Sequence, residues 1–207
     1  MMSELKKRIA QGEGVELDFK FRIYDQKKIA RTLVAFANTQ GGKLLIGVKD
    51  NGKIVGVDPE EEFFMIQGAA AMYTKPEVKF ESKIWKEGHH LVLEIEVPRS
   101  EQKHKGLDDD GRWRTFVRVG DHTLHGNKIL TRIWNLENYG ANRPEQFDEP
   151  TMHFLKLIEK HQPVSISKLY RHAGFPMKKV DQLLAVLVFW GVVGMHISEQ
   201  GTTYSVV

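Results

Sequence analysis

Near the start of the chain, the alternation of apolar and polar residues predicts a β-strand. In the segment Val15–Lys20 every second residue is apolar and the residues between are charged. A period of two predicts a strand with one buried face and its charged side chains in solvent. Asp25 follows at a position suited to cap a helix that runs to about Asn38, with apolar residues at helical spacing.

The next segments predict hairpins with few helices between them. Asn51-Gly52 separates the apolar runs Lys43–Lys49 and Lys53–Val57, and such a pair is a strong hairpin signal. The pattern also predicts a helix over 60–73, a hairpin of Lys79–Trp85 with Leu91–Val97, a strand over Trp113–Val119 and a helix over Asn127–Glu137 that closes the domain. The fold class indicated is α+β, with a mixed, mostly antiparallel sheet and flanking helices.

The C-terminal part has a different pattern. It predicts three helices, over Met152–His161, from Ser165 to near Gly174 and over Met177–Trp190, followed by a hairpin of Val192–Ile197 with Thr202–Val206. Three helices and a two-stranded wing are typical of a small winged helix-turn-helix domain. The predicted domains are therefore 1–138 and 151–207, joined by a polar, Gly- and Pro-containing linker at 139–150. The apolar stretch Leu187–Val193 is too long to remain exposed to solvent, and we expect the first domain or a second subunit to bury it.

Composition narrows the class of protein. The 207 residues include no cysteine, which excludes disulfide frameworks, thiol catalysis and cysteine zinc fingers. The first residues are charged and no window approaches about 20 apolar residues, so we expect a cytoplasmic protein with no membrane partner. The net charge is +3. Residues 1–150 hold 24 basic and 24 acidic residues, whereas 151–207 hold six and three, so the positive excess lies in the tail.

Several motifs in the first half occur together and in a particular order. They are Glu13–Lys20, Ala35–Gly42, Leu45–Gly52 with Ile54–Val57, and Phe116–Gly120. In this order and at these intervals they resemble the Schlafen AlbA-type domain family, over roughly residues 10–121. The resemblance implies nucleic-acid binding and a role in transcriptional regulation. Bacterial relatives commonly carry a helix-turn-helix after this domain, as the pattern here predicts.

The resemblance also implies an alternative function. Some vertebrate Schlafen proteins are divalent-metal-dependent ribonucleases with an acidic trio, and the matching positions here are Glu13, Asp18 and Asp50. Clustered carboxylates bind Mg²⁺ or Mn²⁺, which can stabilise a phosphoryl-transfer transition state. Asp18 stands where the family has glutamate, and the zinc finger of the vertebrate enzymes is absent from this sequence. The structural alternative is that Glu13 precedes the strand, Asp18 is solvated and Asp50 begins a turn.

Basic residues suggest two nucleic-acid surfaces. If 112–118 is one strand, then Arg112, Arg114 and Arg118 share a face with Phe116, and this face could hold phosphates and stack on a base. The alternative is that these arginines pair with acidic residues across the sheet: Glu16, Asp18 or Asp50.

In the tail, Lys178, Lys179 and Gln182 lie on the outer face of the third helix, and Arg171 precedes it. Lysines there attract phosphates and Gln182 could read a base edge. Winged helices also dimerise, so a homodimer is an open alternative.

The hypothesis favoured by the sequence is a nucleic-acid-binding protein, a DNA-binding transcriptional regulator that needs no cofactor and prefers DNA to RNA. The second hypothesis is a nuclease that uses the acidic trio with Mg²⁺ or Mn²⁺, and the third is a dimerisation module. ATP hydrolysis is not expected. Gly41-Gly42-Lys43, the nearest match to a phosphate-binding loop, lacks its first glycine and its hydroxyl residue and opens a strand.

Overall fold

A computed structural model describes residues 2–207. The chain divides into two compact units: the first ends at His125 and the second begins at Gly126. In the first unit the elements in chain order are α1 Glu4–Ile9, β1 Leu17–Lys20, α2 Gln26–Asn38, β2 Gly41–Ile46, α3 Pro59–Tyr73, β3 Thr74–Lys75, β4 Glu81–Glu87, β5 His90–Pro98, β6 Lys105–Leu107, β7 Trp113–Arg114, β8 Phe116–Val119 and β9 His122–His125. The predicted α+β class is confirmed.

The main sheet of the first unit has the strand order β1-β2-β5-β4. β1 and β2 run parallel, and the other two pairings are antiparallel. One face packs against α2 and α3 through a core that includes Leu33, Phe36, Leu44 and Ile95. The opposite face is covered by α1, where Leu5 packs in a second apolar cluster. β1 is therefore buried on both faces instead of half-buried as predicted.

The turn from α2 into β2 depends on a glycine. A side chain at Gly42 would collide with the ring of Phe36, so only glycine allows the helix and strand to approach this closely. Gly41, just before it, has a φ of +83°. The pair opens a β-strand, as the sequence predicts.

Two predicted strand features differ from the structure. At Asn51-Gly52 the chain does turn, but the expected hairpin consists of a single bridge between Val48 and Ile54. Both edges of β2 are already paired with β1 and β5, so no long partner strand forms after the turn. The predicted strand 113–119 is divided at Thr115, because β7 pairs with β6 while β8 pairs with β9.

The second unit contains α4 Lys128–Tyr139, α5 Glu149–His161, β10 Val164–Ser165, α6 Ile166–His172, α7 Met177–Phe189, β11 Val193–Ser198 and β12 Gly201–Val206. The three strands form an antiparallel sheet in the order β10-β12-β11. The three predicted helices and the terminal hairpin of this region are present, and β10 adds a third strand.

The boundary between the units differs from the predicted linker at 139–150. Ile129 and Ile133 of α4 lie in the core of the second unit together with Leu184 and Leu187 of α7. α4 packs against α7 and does not close the first domain. Its apolar stripe packs in the same core as Leu187 and Val193, the ends of the stretch that was expected to be buried by the first domain or by a second subunit. Within residues 2–207, no helix is both long enough and apolar enough to cross a membrane.

Candidate nucleic-acid interface

The first candidate residue, Asp18, is buried in the first unit. Its side chain extends from β1 on the face opposite Leu17 and Phe19, and the residue is 4% exposed. Nη2 of Arg118 lies 3.4 Å from Asp18 Oδ1, and Nζ of Lys20 lies 2.6 Å from Oδ2. The contact with Lys20 is an ion pair outside hydrogen-bond geometry, so Oδ2 accepts no hydrogen bond. Two cations thus compensate this buried carboxylate, where the alternative interpretation expected a solvated one.

Glu13 lies beside Asp18. Its Oε1 accepts a hydrogen bond of 2.8 Å from the backbone N–H of Phe19. Burial raises the pKa of Glu13, and the neighbouring carboxylate of Asp18 raises it further, although the hydrogen bond from Phe19 opposes both effects. The Asp18 carboxylate is therefore close enough to affect the ionisation of Glu13.

Asp50 lies elsewhere in the same unit. It is exposed in the turn before Gly52 and lines an open cavity of about 830 Å³ with Phe19, Ile54 and His90. Over residues 2–207, no three His, Asp or Glu side chains form a group that could hold a metal ion. Of the predicted trio, Glu13 and Asp18 are therefore neighbours, whereas Asp50 lies in a turn and does not join them in a group that could hold a metal ion.

These residues do not fit a divalent-metal centre. A metal between carboxylates needs free oxygens, and both oxygens of Asp18 face cationic groups. The guanidinium of Arg118 makes two further hydrogen bonds: it donates to the carbonyl of Gly14 at 2.8 Å and to Oγ1 of Thr123 at 3.3 Å. The geometry is that of an internal ion-pair cluster.

The three arginines predicted to bind phosphates, Arg112, Arg114 and Arg118, do not share one surface. Arg118 is 4% exposed, so its guanidinium cannot contact an external phosphate. Phe116, the expected stacking residue, is also buried. The shared-face prediction fails for both residues because the chain changes sheets at Thr115. Pairing of Arg118 with Asp18 agrees with the alternative interpretation, in which these arginines pair with acidic residues across the sheet.

Arg112 and Arg114 do lie at the surface. Nε of Arg114 donates to Oδ2 of Asp108 at 3.0 Å, and the backbone N–H of Arg112 donates to Oδ1 at 2.7 Å. These bonds hold the pKa of Asp108 below its usual range, the backbone bond most strongly. Trp113 lies between the two arginines and is also exposed. Trp113 was not among the predicted site residues, although its position between two arginines in the sequence is a signal for stacking on a base.

In the second unit, the predicted recognition residues are on the outside of α7. The helix begins after Pro176 and buries Val180, Leu184 and Leu187 at helical spacing. Lys178, Lys179 and Gln182 are all exposed, as is Arg171 at the end of α6. Arg171 also donates from Nε to the carbonyl of Ser167, which holds it close to its own helix.

A polar network around the buried carboxylate of Asp181 joins this helix to its neighbours. The hydroxyl of Tyr170 donates to Oδ1 of Asp181 at 2.5 Å, and Nζ of Lys128 lies 3.0 Å from Oδ2. The contacts with Tyr170 and then Asp181 raise the pKa of Lys128. The network joins α4, α6 and α7, and it was not predicted because its three members lie far apart in sequence. It holds α7 against the rest of the unit.

Comparison with known proteins identifies the class of the first unit. The family model described as Schlafen, AlbA_2 matches residues 13–127, more than half of the chain. The chain belongs to the Schlafen AlbA_2 family. Membership in this family points to a nucleic-acid-related function. No curated protein gave a significant match.

Two solved structures are similar at low identity. The DIP2311 protein from Corynebacterium diphtheriae is 18% identical with a TM-score of 0.44, and the match covers 91% of this chain and 34% of that one. This chain therefore spans about a third of that protein's length. The N-terminal domain of an ATP-dependent DNA helicase RecG-related protein from Nitrosomonas europaea is 19% identical with a TM-score of 0.41, covering 72% of this chain and 94% of that one.

Proposed function

We propose that this protein binds nucleic acid, DNA in preference to RNA, and acts as a transcriptional regulator through the outer face of α7. The observation that carries the proposal is that Lys178, Lys179 and Gln182 are exposed near the start of a helix whose other face is buried. α5, α6 and α7 followed by the β11–β12 hairpin have the element order of a winged helix-turn-helix. In such domains the third helix enters the major groove.

The chemistry of this face suits DNA. Lysine side chains neutralise phosphates and bind without sequence preference, whereas the amide of Gln182 can pair with the edge of adenine. Pro176, the residue before α7, has no side-chain acceptor, so no side-chain hydrogen bond caps the first turn of the helix. Backbone N–H groups at such a helix start favour a phosphate, which adds to the attraction of the two lysines.

The first unit offers a separate surface with two exposed arginines, of which Arg114 is paired with Asp108. Arg112 and Arg114 are exposed with Trp113 between them. Guanidinium groups bind phosphate oxygens in a fixed geometry, and an indole ring stacks on bases. We assign this surface a supporting role in nucleic-acid binding, with no cofactor involved.

The proximity of Glu13 to Asp18 is the observation that favours nuclease activity as a second candidate. The cations around Asp18 argue against this candidate, because they compete with a metal for the same oxygens. Incubation of the protein with tRNA and single-stranded DNA, in Mn²⁺ or in chelator, tests it directly. Cleavage that requires Mn²⁺ and disappears in Asp50→Ala would support the nuclease, and cleavage that survives Asp50→Ala would be contaminant activity.

The test of the DNA-binding proposal is fluorescence anisotropy with a labelled duplex of about 20 base pairs. The wild-type protein should bind at low salt, and Lys178→Gln with Lys179→Gln should weaken binding. Lys156→Gln is the control, since this exposed lysine lies on α5 of the same unit. Equal affinity of the wild type and the double variant would remove α7 from the interface. Light scattering under the same conditions reports whether the protein is a homodimer.

A further inference from the structure

The loop between β1 and α2 displays two aromatic rings on the surface of the first unit. Phe21 is 46% exposed and Tyr24 is 75% exposed. Between them Ile23 is buried, and its backbone N–H donates to Oε2 of Glu62 at 3.0 Å. Glu62 is itself buried on α3. The backbone of this loop is thus anchored at its middle, so the two exposed rings have fixed attachment points.

The loop also carries an excess of positive charge. From Lys20 to Lys28 there are four basic residues and a single acidic one, Asp25. The carboxylate of Asp25 is engaged as the cap of α2, where it accepts from the backbone N–H groups of Lys27 and Lys28. This composition differs from that of residues 1–150 as a whole, where the charges balance.

Not every cation in the segment is equally available. Lys20 is used internally by Asp18. Arg22 keeps about half of its side chain in solvent, with Nε 3.6 Å from Oε1 of Glu62. Lys28 is exposed.

The neighbouring turn adds to this surface. Nζ of Lys49 lies 5.6 Å from the centre of the Phe21 ring, and Lys53 follows it in the same exposed turn. Asp50 stands between these two lysines and offsets one of their charges. The surface made by Phe21, Arg22, Tyr24 and Lys49, which we name the aromatic loop surface, therefore combines exposed rings with a net positive charge.

We propose that the aromatic loop surface binds single-stranded nucleic acid by stacking unpaired bases on Phe21 and Tyr24, with Arg22 and Lys49 holding the backbone phosphates. Exposed rings beside cations suit an unpaired strand, because its bases offer open faces and its phosphates need positive charge. A duplex offers no such faces, because its bases already stack on one another. The inference rests on the proposed nucleic-acid-binding function and deepens it by giving the two units different preferred substrates.

The experiment compares two labelled probes on the full chain, a thymidine oligonucleotide of about 15 residues and the duplex used for α7. Phe21→Ala and Tyr24→Ala should each weaken binding of the single strand by about tenfold and leave duplex binding unchanged. Phe64→Ala is the matched control, because this exposed aromatic residue lies in the same unit on α3, where Glu60 and Glu61 are nearby in sequence. Tyr24→Phe should keep the single-strand affinity, since the ring is retained.

The outcomes separate this inference from the proposed function. Unchanged single-strand affinity in folded Phe21→Ala and Tyr24→Ala proteins overturns the inference, while duplex binding that disappears in the α7 double variant would still support the proposed function. If the wild type binds neither probe at low salt, both fail. Binding of vesicles containing anionic lipid that disappears in the same two variants, without single-strand binding, would assign the surface to a membrane and also overturn the inference.

Discussion

The guanidinium of Arg118 lies 3.4 Å from the carboxylate of Asp18, and both side chains are almost fully buried. The contact links β8 to β1 across the interior of the first unit. Two residues that the sequence assigns to separate functions, one to phosphate binding and one to metal binding, thus compensate each other's charge. This pairing is the main reason why Asp18 does not fit a divalent-metal centre.

The buried pair predicts a large effect of removing one partner. Arg118→Met should lower the free energy of unfolding of the first unit by about 3 kcal/mol, because Asp18 would lose a buried counter-charge. Urea unfolding followed by circular dichroism measures the change. Arg112→Met is the control and should change stability by less than about 0.5 kcal/mol, since Arg112 is exposed. Equal midpoints for the two variants would contradict the structural role of Arg118.

Glu13 predicts a dependence of stability on pH. Burial and Asp18 raise its pKa above the ordinary value of 4.5. An acid with a higher pKa in the folded state binds its proton more tightly there than in the unfolded state. The contribution of protonated Glu13 to stability is therefore fully present below pH 4.5 and is lost as the pH rises through the raised pKa. Glu13→Gln should therefore be more stable than the wild type at neutral pH.

The difference between Glu13→Gln and the wild type should shrink as pH falls below 4.5, where the wild-type group is protonated in both states. Thermal unfolding at a series of pH values measures it. Glu16→Gln, at an exposed position two residues before Asp18, is the control. A variant that is less stable at neutral pH, or a gap that widens in acid, would contradict the account of Glu13.

The place of α4 predicts which fragment folds. A fragment of residues 126–207 should unfold cooperatively, whereas one of 151–207 should lose most of its stability. The shorter fragment lacks Ile129 and Ile133, which lie in the same core as Leu184 and Leu187. Thermal unfolding followed by circular dichroism distinguishes the two. Equal unfolding temperatures would place α4 outside the second unit.

The polar network beneath α7 predicts a cost for losing a single hydroxyl. Tyr170→Phe removes the 2.5 Å hydrogen bond to Asp181, which should destabilise the second unit by about 2 kcal/mol, because the acceptor is a buried charged group. Tyr139→Phe is the control, since Tyr139 is 88% exposed. Urea midpoints that fall equally in both variants would show that the network does not stabilise α7.

Local features of the fold were predictable from local sequence. Asp25 caps α2, which ends at Asn38 as expected, and the helix 60–73 was placed within one residue of α3. The buried face of α7 follows from its apolar spacing, and so do the exposed positions of Lys178 and Lys179. In each case the residues that decide the structure lie within a few positions of one another.

Features that depend on distant partners were not predictable. Alternation in Val15–Lys20 places Asp18 in solvent, yet Arg118, one hundred residues away, is its partner inside the protein. The strand through Phe116 looks continuous in sequence, but its two ends pair with different strands. α4 precedes a linker-like segment, and only its contact with α7 shows which unit it belongs to.

The most direct test of the central claim is the salt dependence of duplex binding by the full chain. Between about 50 and 200 mM salt, the logarithm of the binding constant should fall linearly with the logarithm of the salt concentration, since binding to phosphates releases counterions. Replacing Lys178 and Lys179 with glutamine should make this slope shallower by nearly 2, about 0.9 for each phosphate that the protein no longer neutralises. A wild-type protein that does not bind at the lowest salt, or a slope that the double variant leaves unchanged, would contradict the account.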